Sequence, residues 1–508
     1  MSDAPQTHRE IEHKLRVHGL FRLPDLTVQS TGVARMVRQD VRHLDAVYYD
    51  TIELRLFRWG VTLRRREGGG DAGWHLKLPV QGGAELARDE LRLPLDAGPP
   101  GSVPEQLANI VFPLSRGAKL KPIVQLQTQR TPYLLYDALG TVIAELVDDV
   151  VSVVDNGELV TRFREIEVEQ LVDSAELDPI VAILIANGGV PQTQAKAAVA
   201  LGPATREPPD VLPPEEVGRD QPAGKLVEAL LRRYVRAFIL QDVRVRRDLP
   251  DAVHQMRVAA RRLRSALKAF AALVDAEWAE GLRTELGWAA SELGLARDTE
   301  VLLARLDRDA ESLSGGDAKR VRAVIDPRLR GRLDDARDEA LASLLSKRHR
   351  HLLDSLVDAA ADPRLTSLAA EPSQRILPGM VERAYRRLAK RVRELEISGP
   401  AQAWHEARIA AKRARYSAEA VIPVFGKPAR ELAEAVELVT ELLGDHQDAC
   451  VAQDVLREMA ASNVIDGYTG FALGLLHEHE FEEELHARLE FDKVWPRVVK
   501  VHKGLHWE

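Results

Sequence analysis

A chain of 508 residues exceeds what one hydrophobic core organises, and at roughly 100 to 200 residues per domain it implies two to four units. With 45% hydrophobic and 29% charged residues wholesale disorder is excluded, and the single cysteine, Cys450, excludes an intramolecular disulfide and a cysteine-built zinc site. The formal net charge of −8 does not point to a polyanionic partner, but it averages over a chain whose charges are locally sorted.

No opening segment reads as a signal peptide and no run approaches ~18 uninterrupted apolar residues, so a cytoplasmic protein without a membrane span is expected. Residues 1–201 carry short β-prone runs at 61–66, 74–78, 90–95, 142–147 and 163–168, separated by turn residues. They predict an antiparallel sheet or barrel. Side chains alternate faces along a strand, so Glu10, Glu12 and Lys14 share one face. The same parity groups Arg64 with Arg66, His75 with Lys77, Glu90 with Arg92, Thr128 with Arg130, Glu145 with Asp149, and Glu165 with Glu167 and Glu169. The residues between them, such as Leu63, Leu76, Leu91, Ile166 and Val168, are apolar and need a core. A barrel with a charged lumen and an apolar exterior partly covered by helices meets both demands.

Carboxylates crowded in such a lumen repel by roughly 4 kcal/mol per close pair at an effective dielectric of ~20, and so require a counter-ion. Oxygen-only ligands suit Mg2+ or Mn2+, whereas the forked and point cations match phosphate oxygens. Together they describe a site for a metal-bound triphosphate, hydrolysed when the metal neutralises phosphate charge and a carboxylate or second metal activates water. Residues 1 to about 200 resemble the CYTH family of triphosphate tunnel enzymes, which hydrolyse inorganic or thiamine triphosphate or, in one branch, cyclise ATP. The resemblance rests on Glu10-x-Glu12-x-Lys14, Tyr49-Asp50-Thr51, Arg64-x-Arg66, Lys77, Glu90-x-Arg92, Arg130, the Glu145 to Asp149 strand, Glu165-x-Glu167-x-Glu169 and Lys196. It implies that Glu10, Glu12, Glu165, Glu167 and Glu169 hold the metal. Phosphates would meet Lys14, Arg64, Arg66, Lys77, Arg92, Arg130 and Lys196. Catalysis would draw on Glu10, Glu12, Lys14, Lys77, Glu90, Glu145 and Asp149; of the adjacent Asp148 and Asp149, only Asp149 shares the parity of Glu145.

Residues 202–224 include six prolines and few large apolar side chains, the composition of an extended linker. From 225 to 508 Ala, Leu, Arg and Glu dominate at helical spacing, which predicts an all-α unit. That unit is internally duplicated: the segment from His254 to Arg264 matches the segment from His405 to Arg415, and Leu293-Gly294 with Asp298 matches Leu443-Gly444 with Asp448. His446 and Asp448, beside Gly444, are expected in a turn between helices. On a helix His254, Arg257, Arg261 and Arg264 form one stripe, with Arg262 adjacent; His405, Arg408, Lys412 and Arg415 repeat it, with Arg413 and Tyr416 adjacent. Like charges at that spacing repel, so something anionic should bind, and two related helices could bring both stripes to one groove.

This half, from about Lys225 to near Val499, resembles the CHAD domain, a duplicated helical module that binds inorganic polyphosphate and often follows a CYTH domain. The resemblance assigns the stripe residues to polyphosphate and suggests association with polyphosphate granules. Nucleic acid is disfavoured by the acidic balance, an aromatic content of 5% and the lack of a stacking or helix-turn-helix motif. The sequence therefore predicts an α+β multidomain protein, a barrel followed by a helical bundle, that hydrolyses inorganic triphosphate or short polyphosphate. The alternatives are a different triphosphate substrate, adenylate cyclisation, or a non-catalytic polyphosphate-binding protein. Oligomeric state is left open.

Overall fold

The computed structural model describes residues 6–80, 87–172, 174–462 and 465–507, with side chains from residue 11 onward. The chain divides into two compact units, residues 1–210 and 211–508.

In the first unit the strands are β1 (Gln6–Val17), β2 (Arg35–Arg38), β3 (Arg42–Asp50), β4 (Thr62–Glu67), β5 (Gly73–Pro79), β6 (Ala87–Leu93), β7 (Lys121–Tyr136), β8 (Val142–Asp155), β9 (Glu158–Gln170) and β10 (Val190–Gln192). Five short helices flank them: α1 (Arg55–Arg58), α2 (Glu105–Ile110), α3 (Phe112–Ser115), α4 (Asp178–Ala186) and α5 (Lys196–Leu201). Eight strands form a closed antiparallel ring in the order β1-β6-β5-β4-β3-β7-β8-β9. Closure depends on β1, which spends Gln6 to Ile11 on β6 and Glu12 to Val17 on β9. The ring leaves no open edge among these strands.

Alternation along the strands sorts the two faces. Outward residues Leu15, Val17, Leu146, Ile166 and Val168 bury themselves with Ile180, Val181 and Leu184 of α4. A second apolar cluster, in which Ala197 and Ala198 of α5 pack with Tyr48, Phe57, Leu126 and Val151, fixes α5 and so aims Lys196. Turns follow local chemistry. Asn156 and Gly157, with φ of 49° and 86°, make the β8–β9 hairpin turn that needs two left-handed residues. Gly68, at φ 81°, begins the β4–β5 turn, where a Cβ would lie 2.2 Å from the His43 carbonyl oxygen. The Tyr49-Asp50-Thr51 segment is an architectural bracket: the buried Asp50 carboxylate accepts backbone N–H groups from Thr51, Leu56 and Phe57 at 2.6, 2.9 and 2.9 Å, clamping α1.

The second unit is entirely helical among its described residues apart from connecting segments. Its helices are α6 (Ala223–Val245), α7 (Ala252–Ala269), α8 (Ala276–Glu292), α9 (Gly294–Asp309), α10 (Gly315–Leu344), α11 (Lys347–Ala361), α12 (Ser373–Val392), α13 (Ala401–Ala420), α14 (Ile422–Phe425), α15 (Lys427–Ala460) and α16 (Gly467–Lys503). The duplication is visible in an antiparallel bridge between Pro222 and Pro372, the residues that precede α6 and α12. The two motif helices α7 and α13 pack on each other.

Two features differ from the sequence expectation. No turn interrupts the chain at Gly444, His446 and Asp448, which lie inside the unbroken helix α15. Burial of Leu443, His446 and Ala449 on one helical face outweighs the ~1 kcal/mol cost of an interior glycine. Nor is the proline-rich segment a free tether throughout. Asp210 accepts the Trp59 indole N–H at 2.9 Å and pairs with Arg116. Val211 and Val217 are buried, and the Val211 carbonyl accepts from Arg236. Among the described residues no helix is long and apolar enough to cross a membrane.

Candidate functional site

The inward residues of the barrel line a cavity of about 240 Å³. Its wall holds eight cations (Lys14, Arg42, Arg64, Arg66, Lys77, Arg92, Arg130 and Lys196) and six carboxylates (Glu12, Asp71, Glu90, Glu145, Glu167 and Glu169), a basic excess inside a net acidic chain. Asp149 and Glu165 are fully buried at its edge and join it through Lys196, whose ammonium lies 2.9 Å from Asp149 and 2.7 Å from each of Glu165 and Glu167. Arg130 grips Asp149 with a two-pronged fork at 2.9 and 2.7 Å and reaches Glu167 at 3.0 Å. Lys14 sits 2.8 Å from Glu12 and 3.6 Å from Glu167, and Lys77 lies 3.8 Å from both Glu12 and Glu90. Glu90 also contacts His75 at 3.0 Å and Arg92.

These neighbours decide protonation. Burial works to raise the pKa of Glu12, but Lys14 and Lys77 outweigh it and hold the carboxyl below its ordinary value. Glu167 is held well below by Lys196, Lys14 and Arg130 against the same burial. Glu165 goes the other way: burial outweighs Lys196 and holds it above the usual carboxylate range.

The wall is unsatisfied at β4. On β4 the Nε atoms of Arg64 and Arg66 are buried without acceptors. On β9 the buried Glu165 lies outside the cavity lining and has the Lys196 ammonium, 2.7 Å away, as its partner. Buried donors left without acceptors, as on β4, cost about 1–3 kcal/mol each, which an anionic ligand recovers. Asp149, Glu165 and Glu167 each offer an oxygen within 4.8 Å of the others. Oxygen donors so grouped form a set able to hold a hard divalent cation.

The structure thus gathers Glu12, Lys14, Arg64, Arg66, Lys77, Glu90, Arg92, Arg130, Glu145, Glu167, Glu169 and Lys196 around one cavity. Asp149 turns inward to Arg130 while Asp148 turns out to Arg164, 2.6 Å away. Glu10 lies on β1 opposite Arg88, and its side chain is outside the described residues. Glu12 keeps company with Lys14 and Lys77, so the tight carboxylate cluster is completed by Asp149 instead. Sequence reasoning missed Arg42, Tyr48 and Asp71. Tyr48 accepts a hydrogen bond from Arg64 at 3.3 Å, and Asp71 pairs with Arg66. Parity along β3 would have found Arg42 and Tyr48, but Leu44 and Ala46 between them break the run of inward charges.

In the helical unit the stripes of α7 and α13 meet around Tyr416, over whose ring Arg261 and Arg415 stand at 5.7 and 6.0 Å. Arg257 donates to the Gly294 carbonyl at 3.0 Å and to Asp298 at 2.8 Å, so the repeated Gly and Asp brace the stripe. The Nε atoms of Arg261 and Arg408 are buried without partners among the described residues. Burial, then Arg408 and Arg261, push Lys412 down to about 7, and burial with Arg297 lowers His254. His405 contacts Gln447. The remaining predicted cations are engaged elsewhere: Arg415 pairs with Glu419 and Glu437, Arg262 pairs with Glu419, Arg264 packs over Gly287, and Arg413 faces a separate pocket.

A CYTH domain model matches residues 8–185, and a CHAD domain model matches residues 229–457. The uncharacterized protein Rv2226 of Mycobacterium tuberculosis (strain ATCC 25618 / H37Rv) is 33% identical over 533 residues, spanning 98% of this chain and 97% of its own length. Among solved structures, PptA from Streptomyces chartreusis is 26% identical, with a TM-score of 0.47, and covers 54% of this chain and 99% of its own. The CHAD domain from the plant Ricinus communis is 24% identical, with a TM-score of 0.46, and covers 56% of this chain and 94% of its own.

Proposed function

The chain belongs to the family of proteins in which a CYTH domain is followed by a CHAD domain, and on that premise we propose that its barrel hydrolyses inorganic triphosphate or short polyphosphate with Mg2+ or Mn2+, while its helical unit binds inorganic polyphosphate. One observation carries the reading of the barrel: the cavity is lined by Arg64 and Arg66, whose buried Nε donors lack acceptors among the described residues, and by Glu167, whose carboxylate lies within 4.8 Å of those of Asp149 and Glu165. A metal-bound phosphate chain meets both features at once, its oxygens at the guanidinium donors and its metal at the carboxylates. A plain anion would satisfy only the first.

Within the lumen Arg64, Arg66, Arg92 and Arg130 bind and orient the phosphates, and Lys14 and Lys77 offset the charge that gathers on the bridging oxygen. Glu12 and Glu167, held ionised by their lysines, take hydrogen bonds from water and direct it in line at a terminal phosphorus. The P–O bridge breaks, and phosphate and pyrophosphate leave. A bound Mg2+ would neutralise phosphate charge and lower the pKa of its coordinated water. Among the described residues Tyr48 is the one aromatic side chain in the lining, and it is committed to Arg64, so these residues offer no stacking platform for a nucleobase.

The test is Glu12→Gln, an isosteric change that keeps volume and removes charge. Turnover of inorganic triphosphate should fall at least about a hundredfold with the far-UV spectrum unchanged. Undiminished turnover would refute the role of Glu12.

A further inference from the structure

The duplication in the helical unit allows one copy to be read as the control for the other. In the register that aligns His254 with His405, Arg262 corresponds to Arg413 and Lys268 to Glu419. Arg262 on α7 is neutralised by Glu419 on α13 at 3.3 Å and covered by the Tyr234 ring at 5.8 Å. At the twin corner Arg413 on α13 meets Lys268 on α7, so an ion pair in one copy is replaced by two cations in the other.

That corner is a pocket of about 160 Å³. Among the described residues four cations line it, Lys268, Arg383, Arg387 and Arg413, with no carboxylate, and apart from Ser265 the rest of the lining is apolar, with Met380 and Ala410 buried as its floor. None of the four has an ion-pair partner among the described residues. Lys268 sits in the last turn of α7, where the helix dipole favours a cation, but Arg413, Arg383 and Arg387 stand in helix interiors where no such term acts. Partial burial, together with Arg283, Arg387 and Arg264, lowers the pKa of Arg413, as expected of a guanidinium held without a counter-charge. The same chain elsewhere closes such a corner with a glutamate. Here it keeps it open and positive.

We propose that this pocket is a second anion site, separate from the groove between the two stripes, and that it takes a phosphate group carried on a small apolar body. The cations at its rim supply the recognition of the phosphate, and the methionine and alanine floor excludes water beneath the organic part. A bare polyphosphate chain gains nothing from that floor. The inference does not depend on the reading of the barrel.

The experiment is calorimetric titration of the full chain with phenyl phosphate and, separately, with long-chain polyphosphate, for the wild type, Lys268→Glu and Lys268→Arg. Lys268→Glu recreates the ion pair of the twin corner. Phenyl phosphate binding at one site should weaken at least tenfold, while long-chain polyphosphate binding stays within twofold. Lys268→Arg should bind phenyl phosphate like the wild type. Equal phenyl phosphate binding by the wild type and Lys268→Glu, or no binding to the wild type, would overturn the site. Parallel loss of both ligands in Lys268→Glu would overturn its separateness and make the pocket the end of the polyphosphate groove.

Discussion

Replacing Lys196 by methionine removes the ammonium that compensates Asp149, Glu165 and Glu167 at 2.7 to 2.9 Å. Arg130 still serves Asp149 and Glu167, so the uncompensated group is Glu165. Stripping one partner from a buried pair costs about 3–5 kcal/mol. In a unit of this size each kcal/mol lowers Tm by about 2–4 °C, so the barrel transition should fall by roughly 10 °C at neutral pH. The loss should grow with pH. Glu165 is already raised above its unfolded value by burial, and without Lys196 it rises further; a raised carboxyl contributes stability below its unfolded pKa that is lost as pH rises through the folded one. Because ammonium and divalent cation compete for the same oxygens, Mg2+ should raise the Tm of Lys196→Met more than that of the wild type. Scanning calorimetry from pH 5 to 8, with EDTA or Mg2+, reads all three effects. A variant within 2 °C of the wild type and indifferent to Mg2+ would show that Lys196 is not the counter-ion of this cluster.

Lys412, pushed down to about 7 by burial, Arg408 and Arg261, should take up a proton when a polyanion binds. Long-chain polyphosphate should therefore bind up to about tenfold more tightly at pH 6 than at pH 8, and Lys412→Arg should flatten the trend; calorimetry in buffers of different ionisation enthalpy measures the proton. His446 is pushed down from 6.5 to about 4 by burial and by Arg488, which donates to its Nε2 at 3.0 Å. Its stabilising contribution, roughly 3 kcal/mol, is present above pH ~6.5 and lost as pH falls toward 4, so His446→Gln should flatten the acid limb of the helical transition in thermal melts. The double variant Arg257→Ala, Arg408→Ala should weaken long-chain polyphosphate binding while sparing triphosphate turnover, and equal loss of both would refute the division of labour.

The barrel is legible in the sequence because period-two alternation of charge with Leu, Ile and Val survives in nearly every strand, and the duplication because the stripe in α7 recurs in α13 at the same spacing with a single change, Lys412 for Arg261. What escapes is contact at a distance. Nothing in the spacing shows that Lys196, on a short helix after β10, threads back among Asp149, Glu165 and Glu167, or that Glu12 sits with lysines. Gly444 misleads because a local breaker is overruled by tertiary burial, as the continuous α15 shows. The repeat marks Asp298, but its partnership with Arg257 comes only from the packing of α9 against α7.

The central claim is that the barrel is a metal-dependent triphosphatase. Its most direct test is phosphate release from inorganic triphosphate by the full chain, with EDTA, Mg2+ or Mn2+, alongside ATP and thiamine triphosphate. Release that needs the metal and favours inorganic triphosphate is the predicted result. No release from any of the three with either metal, while polyphosphate binding persists, would contradict it.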